Sequence, residues 1–393
     1  MQDVIVLNCG SSSIKFAVMN VETGQASLTG VAENLGNADA RVKFKASGQS
    51  SSLSLPENAN HQQALSSIQT IIGEHDANPV AVGHRVVHGG ETFTQSALID
   101  ESVKEAIKST FHMAPLHNPP ALEGIESAQK AFPDLPHVAV FDTAFFQTIP
   151  KHAYLYALPK KLYEEHGIRR YGFHGSSHYF VSREAARMLN KPIEQTNLIC
   201  AHLGNGCSVA AIKNGQGVDV SMGFTPLEGL VMGTRCGDLD PSLHSVIADT
   251  LNYTPKQVDA LLNRESGLLG LSGMSNDCRT LEEAAEAGNE DAQMALKVFC
   301  YRLAKYIGSY MVVTGPLDAI VFTGGIGENS AFIRESVLSM LEHLGFGVDT
   351  DKNLAARFGQ AGNISSGKTP VLVVPTNEEW VIAQDAVRIS QQA

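Results

Sequence analysis

Ile5-Val6-Leu7-Asn8-Cys9-Gly10-Ser11-Ser12-Ser13 and Ile199-Cys200-Ala201-His202-Leu203-Gly204-Asn205-Gly206-Cys207 follow one plan. Each is an apolar strand, then a polar residue, then a turn of small residues that leads into a second strand. The copies lie about half the chain apart, which suggests two duplicated domains facing each other across a cleft. Around them, glycines recur at strand ends and helical patterns alternate with strand patterns, so the fold class is α/β.

Outward from these hairpins the elements can be assigned by period. Val4–Leu7 reads as a buried strand, Asn8–Ser13 as a turn and Ile14–Met19 as the returning strand. Residues 47–54 are polar and read as a surface loop. Val80–Val87 and His137–Phe141 read as strands, and Pro119–Ala131 as a helix opening on proline. In the second half, Asn197–Ala201, Ser208–Lys213 and Asp318–Phe322 read as strands. The spacing of Phe299, Leu303, Tyr306, Ile307 and Tyr310 fits one long helix over 291–313. Thr323-Gly324-Gly325-Ile326-Gly327 follows as a glycine turn, then a helix from about Ser330 to Leu344. Val371–Val374 is the last strand, and Thr376 or Asn377 caps a closing helix.

The chain has 393 residues, 43% of them hydrophobic and 18% charged, which suits two globular domains and not disorder. A net charge of −12 excludes a nucleic-acid partner, because phosphate neutralisation needs clustered Lys and Arg. It leaves ATP open, since a few cations and backbone amides suffice locally. The six cysteines have no Cys-x-x-Cys spacing and read as reduced thiols of a cytoplasmic protein. The first residues run into Val4–Leu7 without a basic leader, and no apolar stretch approaches 18 residues, so neither export nor a membrane span is expected.

Six segments carry chemistry. Asn8 to Lys15 presents small residues, hydroxyls and a lysine around a tight turn, which is either a phosphate-binding nest or a polar hairpin tip; it lacks Walker spacing. Gly83-His84-Arg85-Val86-Val87-His88-Gly89-Gly90 puts Arg85 among small residues, where it can grip a carboxylate bidentately or pair with an internal acid. Asp142 stands alone in Val140-Phe141-Asp142-Thr143-Ala144-Phe145-Phe146, and an acid there needs a metal or a cation. His174 and His178 lie four apart without a third nearby ligand, so zinc is not expected. Gly233-Thr234-Arg235-Cys236-Gly237-Asp238-Leu239-Asp240-Pro241 reads as a polar turn with Arg235 exposed, ahead of a helix at Pro241. Gly324, Gly325 and Gly327 suit a flat base or ribose lying against backbone.

Taken together and in order, Asn8–Lys15, His84–Gly90, Phe141–Thr143, Gly172–Gly175, His202–Gly206, Thr234–Asp238, Gly325–Asn329 and Pro375–Glu379 resemble the acetate kinase family of the actin, Hsp70 and sugar-kinase superfamily. The resemblance spans nearly the whole chain. It implies two ribonuclease-H-like domains, residues 1–148 completed by 378–393, and residues 149–377, in a homodimer. It implies Mg²⁺, or Mn²⁺ in its place, at Asn8 and Glu378, with ATP or ADP as co-substrate. Ser11, Ser13 and Lys15 would lie near phosphate, as would His202, Leu203, Gly204, Asn205 and Gly206. Asp277, Cys278 and Arg279 with Gly325, Ile326, Gly327, Glu328 and Asn329 match the adenosine site. Asn276 and Cys278 depart from the family's usual serine and bulkier residue, which leaves nucleotide preference open. Arg85 matches the carboxylate-binding arginine, Asp142 the catalytic aspartate, and His174 and Arg235 the stabilisers of the transition state. Val87, Leu116, Phe173 and Pro226 match the walls of the acyl pocket.

What the resemblance implies is phosphoryl transfer between ATP and acetate, with acetyl phosphate as product and propionate as the rival substrate. A nucleotide switch of the actin or Hsp70 kind would not need Arg85 and His174, and a sugar kinase would need a base for its alcohol. Acetate is ionised at neutral pH, so Asp142 is expected to orient the metal or its waters and not to take a proton.

Overall fold

The computed structural model describes residues 2–75 and 77–392. The chain divides into two compact units, Met1–Phe145 with Asn377–Ala393, and Phe146–Thr376, against expected breaks after residues 148 and 377.

In the first unit the strands are β1 (Asp3–Gly10), β2 (Ser13–Asn20), β3 (Ala26–Glu33), β4 (Arg41–Ala46), β5 (Gln49–Ser54), β6 (Pro79–Val86), β7 (Ala97–Leu98) and β8 (His137–Phe141). They form one sheet in the order β5-β4-β3-β2-β1-β6-β8-β7. The apolar run of β1 is continuous because both faces are covered. Ile5 and Leu7 pack with Leu65, Ile68 and Ile72 of the helix His61–Glu74. Val4 and Val6, alternating to the other side, pack with Ile382, Ala383 and Ala386 of the closing helix Glu378–Ser390. Each such side chain contributes about 1.5–3 kcal/mol when fully buried. Gly83 of β6 is what lets that helix lie so close: a Cβ there would sit 2.5 Å from Ile382 Cγ2. Asn377 caps the helix by accepting from Trp380 N, and Trp380 Nε1 donates to Val21 O at 2.7 Å.

In the second unit the strands are β9 (Leu198–Leu203), β10 (Cys207–Lys213), β11 (Gln216–Val220), β12 (Ala319–Thr323), β13 (Gly362–Asn363) and β14 (Val371–Val373). Their order is β11-β10-β9-β12-β14-β13. β9 pairs antiparallel with β10 and parallel with β12, and β12 pairs parallel with β14. β1 does the same with β2 and β6, and β6 with β8. β2 also pairs antiparallel with β3, as β10 does with β11, so the duplication seen in the two hairpins extends to five strands of each sheet, which is the ribonuclease-H-like arrangement.

Several local expectations need correction. Residues 47–54 are not a loop: Gln49–Ser54 pairs with β4 through a turn in which Ser47 and Gly48 have φ of 48° and 82°. All six residues of β5 are exposed, so this edge strand carries no apolar alternation to betray it, although Ser47-Gly48 suits a primed hairpin turn. The turn after β1 is only Ser11 and Ser12, because Asn8 pairs across to Lys15. The glycine segment after β12 is a short helical turn, Gly324–Asn329, and the helix beyond it is Ala331–Met340 with Ser330 as its cap. The helix expected at Pro241 begins at Leu243. No helix of the described residues is long and apolar enough to cross a membrane.

A buried histidine pair lies beside the first site. His137 Nε2 donates to Phe132 O at 3.1 Å, which leaves its Nδ1 to accept from His84 Nε2 at 2.9 Å. Burial pushes His84 well below the usual imidazole range, helped by His137, and burial lowers His137 as well. Both are neutral in the fold and bind protons more readily once unfolded. Their stabilisation is complete above the ordinary histidine value near 6.5 and is lost as pH falls through the folded values, by at most about 1.4 kcal/mol per histidine per pH unit. The melting temperature should fall between pH 7 and 5 while the ring ¹⁵N shifts of both residues stay those of neutral imidazole. Imidazolium shifts in folded protein at pH 6 would contradict this.

Candidate active site

The first unit gathers charge at the ends of β1, β6 and β8. Ser11 and Ser12 are exposed at the hairpin tip, and Ser13 and Asn8 are half-buried. Behind the tip, the buried His61 bonds Gly10 O at 2.7 Å and fixes the turn from inside. Arg85, near the end of β6, donates from Nε to Asp142 Oδ1 at 3.0 Å and from Nη2 to Oδ2 at 2.8 Å. Of the two roles open to Arg85, pairing with an internal acid is thus realised, and Asp142, only 1% exposed, has found its cation. One edge of the guanidinium is occupied. Its Nη1 side carries no bond to a protein acceptor and remains able to take a second carboxylate.

Glu378 stands at the N-terminus of the closing helix with Oε2 3.9 Å from Arg85 Nη2. That oxygen is buried and accepts no hydrogen bond. Burial raises the Glu378 pKa and Asp142 adds to the rise, while Arg85 and Lys15 oppose it. Burial also opposes the charge on Arg85, but Asp142 and Glu378 outweigh it and hold the guanidinium more firmly protonated. Asn8, Lys15, Arg85, Glu378 and Glu379 line one end of a groove of about 1290 Å³ that continues over β2–β5.

The loop after β6 is held by a residue the sequence did not single out. Asn118 accepts from His88 N at 3.1 Å and donates to His88 O at 2.8 Å and Thr110 Oγ1 at 2.6 Å. Gly89 N donates to Thr143 Oγ1, one residue beyond Asp142. Val87 is half-buried in this loop, and Leu116 is 48% exposed.

In the second unit the candidate residues gather around the turn Gly204–Gly206. His202 and Leu203 end β9 and are buried, and Asn205 is exposed at the tip. Asn205 O accepts from Gly233 N at 3.0 Å, and Asn205 Oδ1 accepts from Asn276 Nδ2 at 3.0 Å. The turn is thereby joined to the loop carrying Arg235 and to the segment before Asp277. Gly206 leaves room for two side chains: a Cβ there would lie 3.3 Å from Arg235 Nη1 and 3.5 Å from His174 Nε2. Arg235 and His174 therefore converge on one turn.

Arg235 is half-buried, contrary to the expected exposure, because Met232 N donates to its carbonyl and folds the loop inward. Its Nη1 donates to Pro226 O at 3.2 Å. Burial lowers its pKa, and among the described residues no carboxylate pairs with it. A guanidinium in that position is able to receive an anion. His174 adopts φ 60° at the start of the helix Gly175–Met188, and its ring stacks on His202 with centroids 4.3 Å apart. Phe173 is buried beside it at 1% exposure.

Of the adenosine candidates, Gly325 and Ile326 keep open surface. Glu328 instead accepts from Gly324 N at 2.9 Å and Thr376 N at 3.0 Å, and Asn329 accepts from Phe358 N. Thr376 Oγ1 continues to Ser177 Oγ and on to His202 Nδ1, each at 2.8 Å, so Glu328 is linked through this chain to the end of β9. Asp277 caps the helix Cys278–Glu286 by accepting from Thr280 N, Cys278 is buried, and Arg279 is an exposed partner of Glu283. Among the described residues no group of three His, Cys, Asp or Glu is placed to hold a metal. A metal here would need amide or phosphate oxygens as well.

Duplicated sheets that each end in a small-residue turn, one beside an arginine–carboxylate cluster and the other beside an arginine with no carboxylate partner among the described residues, are the arrangement of a phosphotransferase. The sequence matches the Acetokinase family over residues 3–384. It is 58% identical over 391 residues to the acetate kinase of Shewanella baltica, covering 98% of both chains. Among solved structures, a propionate kinase from Francisella tularensis is 45% identical with a TM-score of 0.94, and an acetate kinase from Porphyromonas gingivalis is 41% identical with a TM-score of 0.94. Each alignment covers 99% of this chain and all of the other. The chain belongs to the acetokinase family, kinases whose phosphoryl acceptor is a carboxylate.

Proposed function

We propose that this chain catalyses the reversible transfer of the ATP γ-phosphoryl group to acetate, giving acetyl phosphate and ADP. The observation that carries the reading is the half-buried Arg235 with no acid of its own, converging with His174 on the Gly206 turn. Phosphoryl transfer passes through a loose transition state with charge spread over three equatorial oxygens, so catalysis is mostly placement and electrostatics. Arg235 and His174 would receive those oxygens, and the backbone amides of Gly204–Gly206 would hold phosphate. Arg85 would orient the acetate carboxylate through its Nη1 edge. Asp142 is engaged on both oxygens and acetate has no proton to lose, so Asp142 acts by holding Arg85 and by its negative charge.

The donor set fits Mg²⁺, which keeps several waters and takes one or two carboxylates plus substrate phosphates. Glu378 has a buried oxygen without a hydrogen bond and lines the same groove as Asn8, so these two would hold the ion. Held there, the ion would supply positive charge to offset that of the phosphates. Ser11, Ser13 and Lys15 would add donors at the first turn, and Gly325, Ile326, Asp277 and Arg279 would border the adenosine. The free thiols suit a cytoplasmic setting. The helix Leu243–Leu251 has no buried residue and exposes Leu243, Val246 and Leu251, which suits a homodimer.

Hydroxylamine trapping with ATP, Mg²⁺ and C1–C4 acids tests the reaction. Acetyl hydroxamate should dominate, with propionate a poorer acceptor. Val87→Ala should raise the propionate-to-acetate ratio of kcat/KM by up to about 10-fold, the scale of one methylene. No hydroxamate from any acid would sink the proposed reaction, a wild-type preference for propionate would overturn acetate, and an unchanged ratio would remove Val87 as selector.

A further inference from the structure

Ser208, the second residue of β10, lies between two histidines. Its Oγ is 2.9 Å from His174 Nδ1 and 2.8 Å from His178 Nε2. Ser208 and His178 are both fully buried. The i, i+4 spacing, from which no zinc site is expected, brings the two rings to one hydroxyl.

A hydroxyl has a single proton to donate, so the two bonds are not independent. If both rings donated to Ser208, its own proton would be stranded, since Oγ has no third partner among the described residues. One ring must donate and the other accept. His178 decides which. Its Nδ1 is buried without a hydrogen-bond partner, and a bare lone pair there is cheaper than an orphaned N–H. Burial and the neighbouring His202 also hold His178 well below the usual imidazole range, so it is neutral. Its one proton then sits on Nε2 and is donated to Ser208, and Ser208 donates to His174 Nδ1. Neutral His174 is left with its proton on Nε2, the nitrogen that faces the Gly206 turn beside Arg235.

We propose that His178 and Ser208 are positioning residues that fix His174 as the Nε2–H tautomer, so that it presents a hydrogen-bond donor to the phosphoryl group. No proton is transferred; the chain sets direction only. This rests on the proposed role of His174 at the phosphoryl group, but the tautomer can be read without turnover.

The experiment is ¹⁵N NMR of the histidine rings in the full chain, with kinetics on the same samples. Wild type should show His174 with its proton on Nε2 and His178 likewise. Ser208→Ala should give His174 mixed tautomers and a kcat lower by about 10- to 100-fold, with ATP KM little changed, as for other groups that orient a functional histidine. Ser208→Thr, which keeps the hydroxyl, should recover most of that loss. His178→Gln, which keeps an N–H near the Nε2 position, should likewise outperform His178→Phe. A wild-type His174 protonated on Nδ1 would overturn the proposal whatever the variants do. So would a Ser208→Ala enzyme that keeps both the Nε2–H tautomer and its kcat. His174→Ala with unchanged kcat would instead remove His174 from the reaction and leave the tautomer result standing.

Discussion

Arg235→Ala should lower kcat by roughly two orders of magnitude or more, with little change in the KM for ATP. The expectation comes from what surrounds the side chain. Its guanidinium is half-buried, its protein contacts are the Pro226 carbonyl at 3.2 Å and the Met232 sulfur at 3.7 Å, and no carboxylate neutralises it. A cation so placed has most to gain from an anion whose charge spreads outward, as it does when the phosphoryl group leaves ADP. On the proposed reading, ground-state ATP would also be held by the backbone of the Gly204–Gly206 turn, so binding should survive. Stability should survive too, since the loop is fixed by backbone bonds such as Gly233 N to Asn205 O and Ser266 N to Thr234 O. Steady-state kinetics and a melting curve on one preparation check this. A variant that keeps more than a tenth of wild-type kcat would assign the residue to nucleotide binding or to structure.

The parts of the fold that could be read from sequence are those where burial dictates composition. β1, β9 and β12 are apolar on both faces, and the helix Glu290–Thr314 buries Phe299, Leu303, Ile307 and Tyr310 in one stripe. β5 was invisible because an exposed edge strand of serines has no burial to report. The helical turn Gly324–Asn329 was hidden by its glycines, which speak against a helix until Glu328 is seen holding Gly324 N. The site divides in the same way. Arg85, Asp142, Arg235 and the two small-residue turns stand out because charge or glycine in an apolar setting needs a reason. Asn118, Ser177 and Ser208 do not, because a buried serine or asparagine is informative only once its partners are known. What sequence left open about Arg85, whether it serves a ligand or an internal acid, depends on a contact 57 residues away along the chain. No local pattern contains it.

That contact changes what Arg85→Ala must be expected to do. Deleting the guanidinium removes the proposed acetate grip, and it also strands Asp142, a carboxylate only 1% exposed, with Glu378 close by. Breaking a buried pair from one side typically costs about 3–5 kcal/mol, because the remaining charge stays uncompensated. The single variant should therefore lose stability and raise the acetate KM together, and neither effect alone identifies the role. Arg85→Lys keeps charge but cannot make two parallel bonds to Asp142, so it should fall between alanine and wild type in both respects. The double variant Arg85→Ala with Asp142→Asn separates the causes. Removing the stranded charge should restore much of the melting temperature, whereas the acetate KM should remain raised by an order of magnitude or more, roughly the worth of one charge-assisted bond. If the double variant recovered stability and also bound acetate as the wild type does, Arg85 would be a structural partner of Asp142, and the carboxylate of the substrate would have to be held elsewhere.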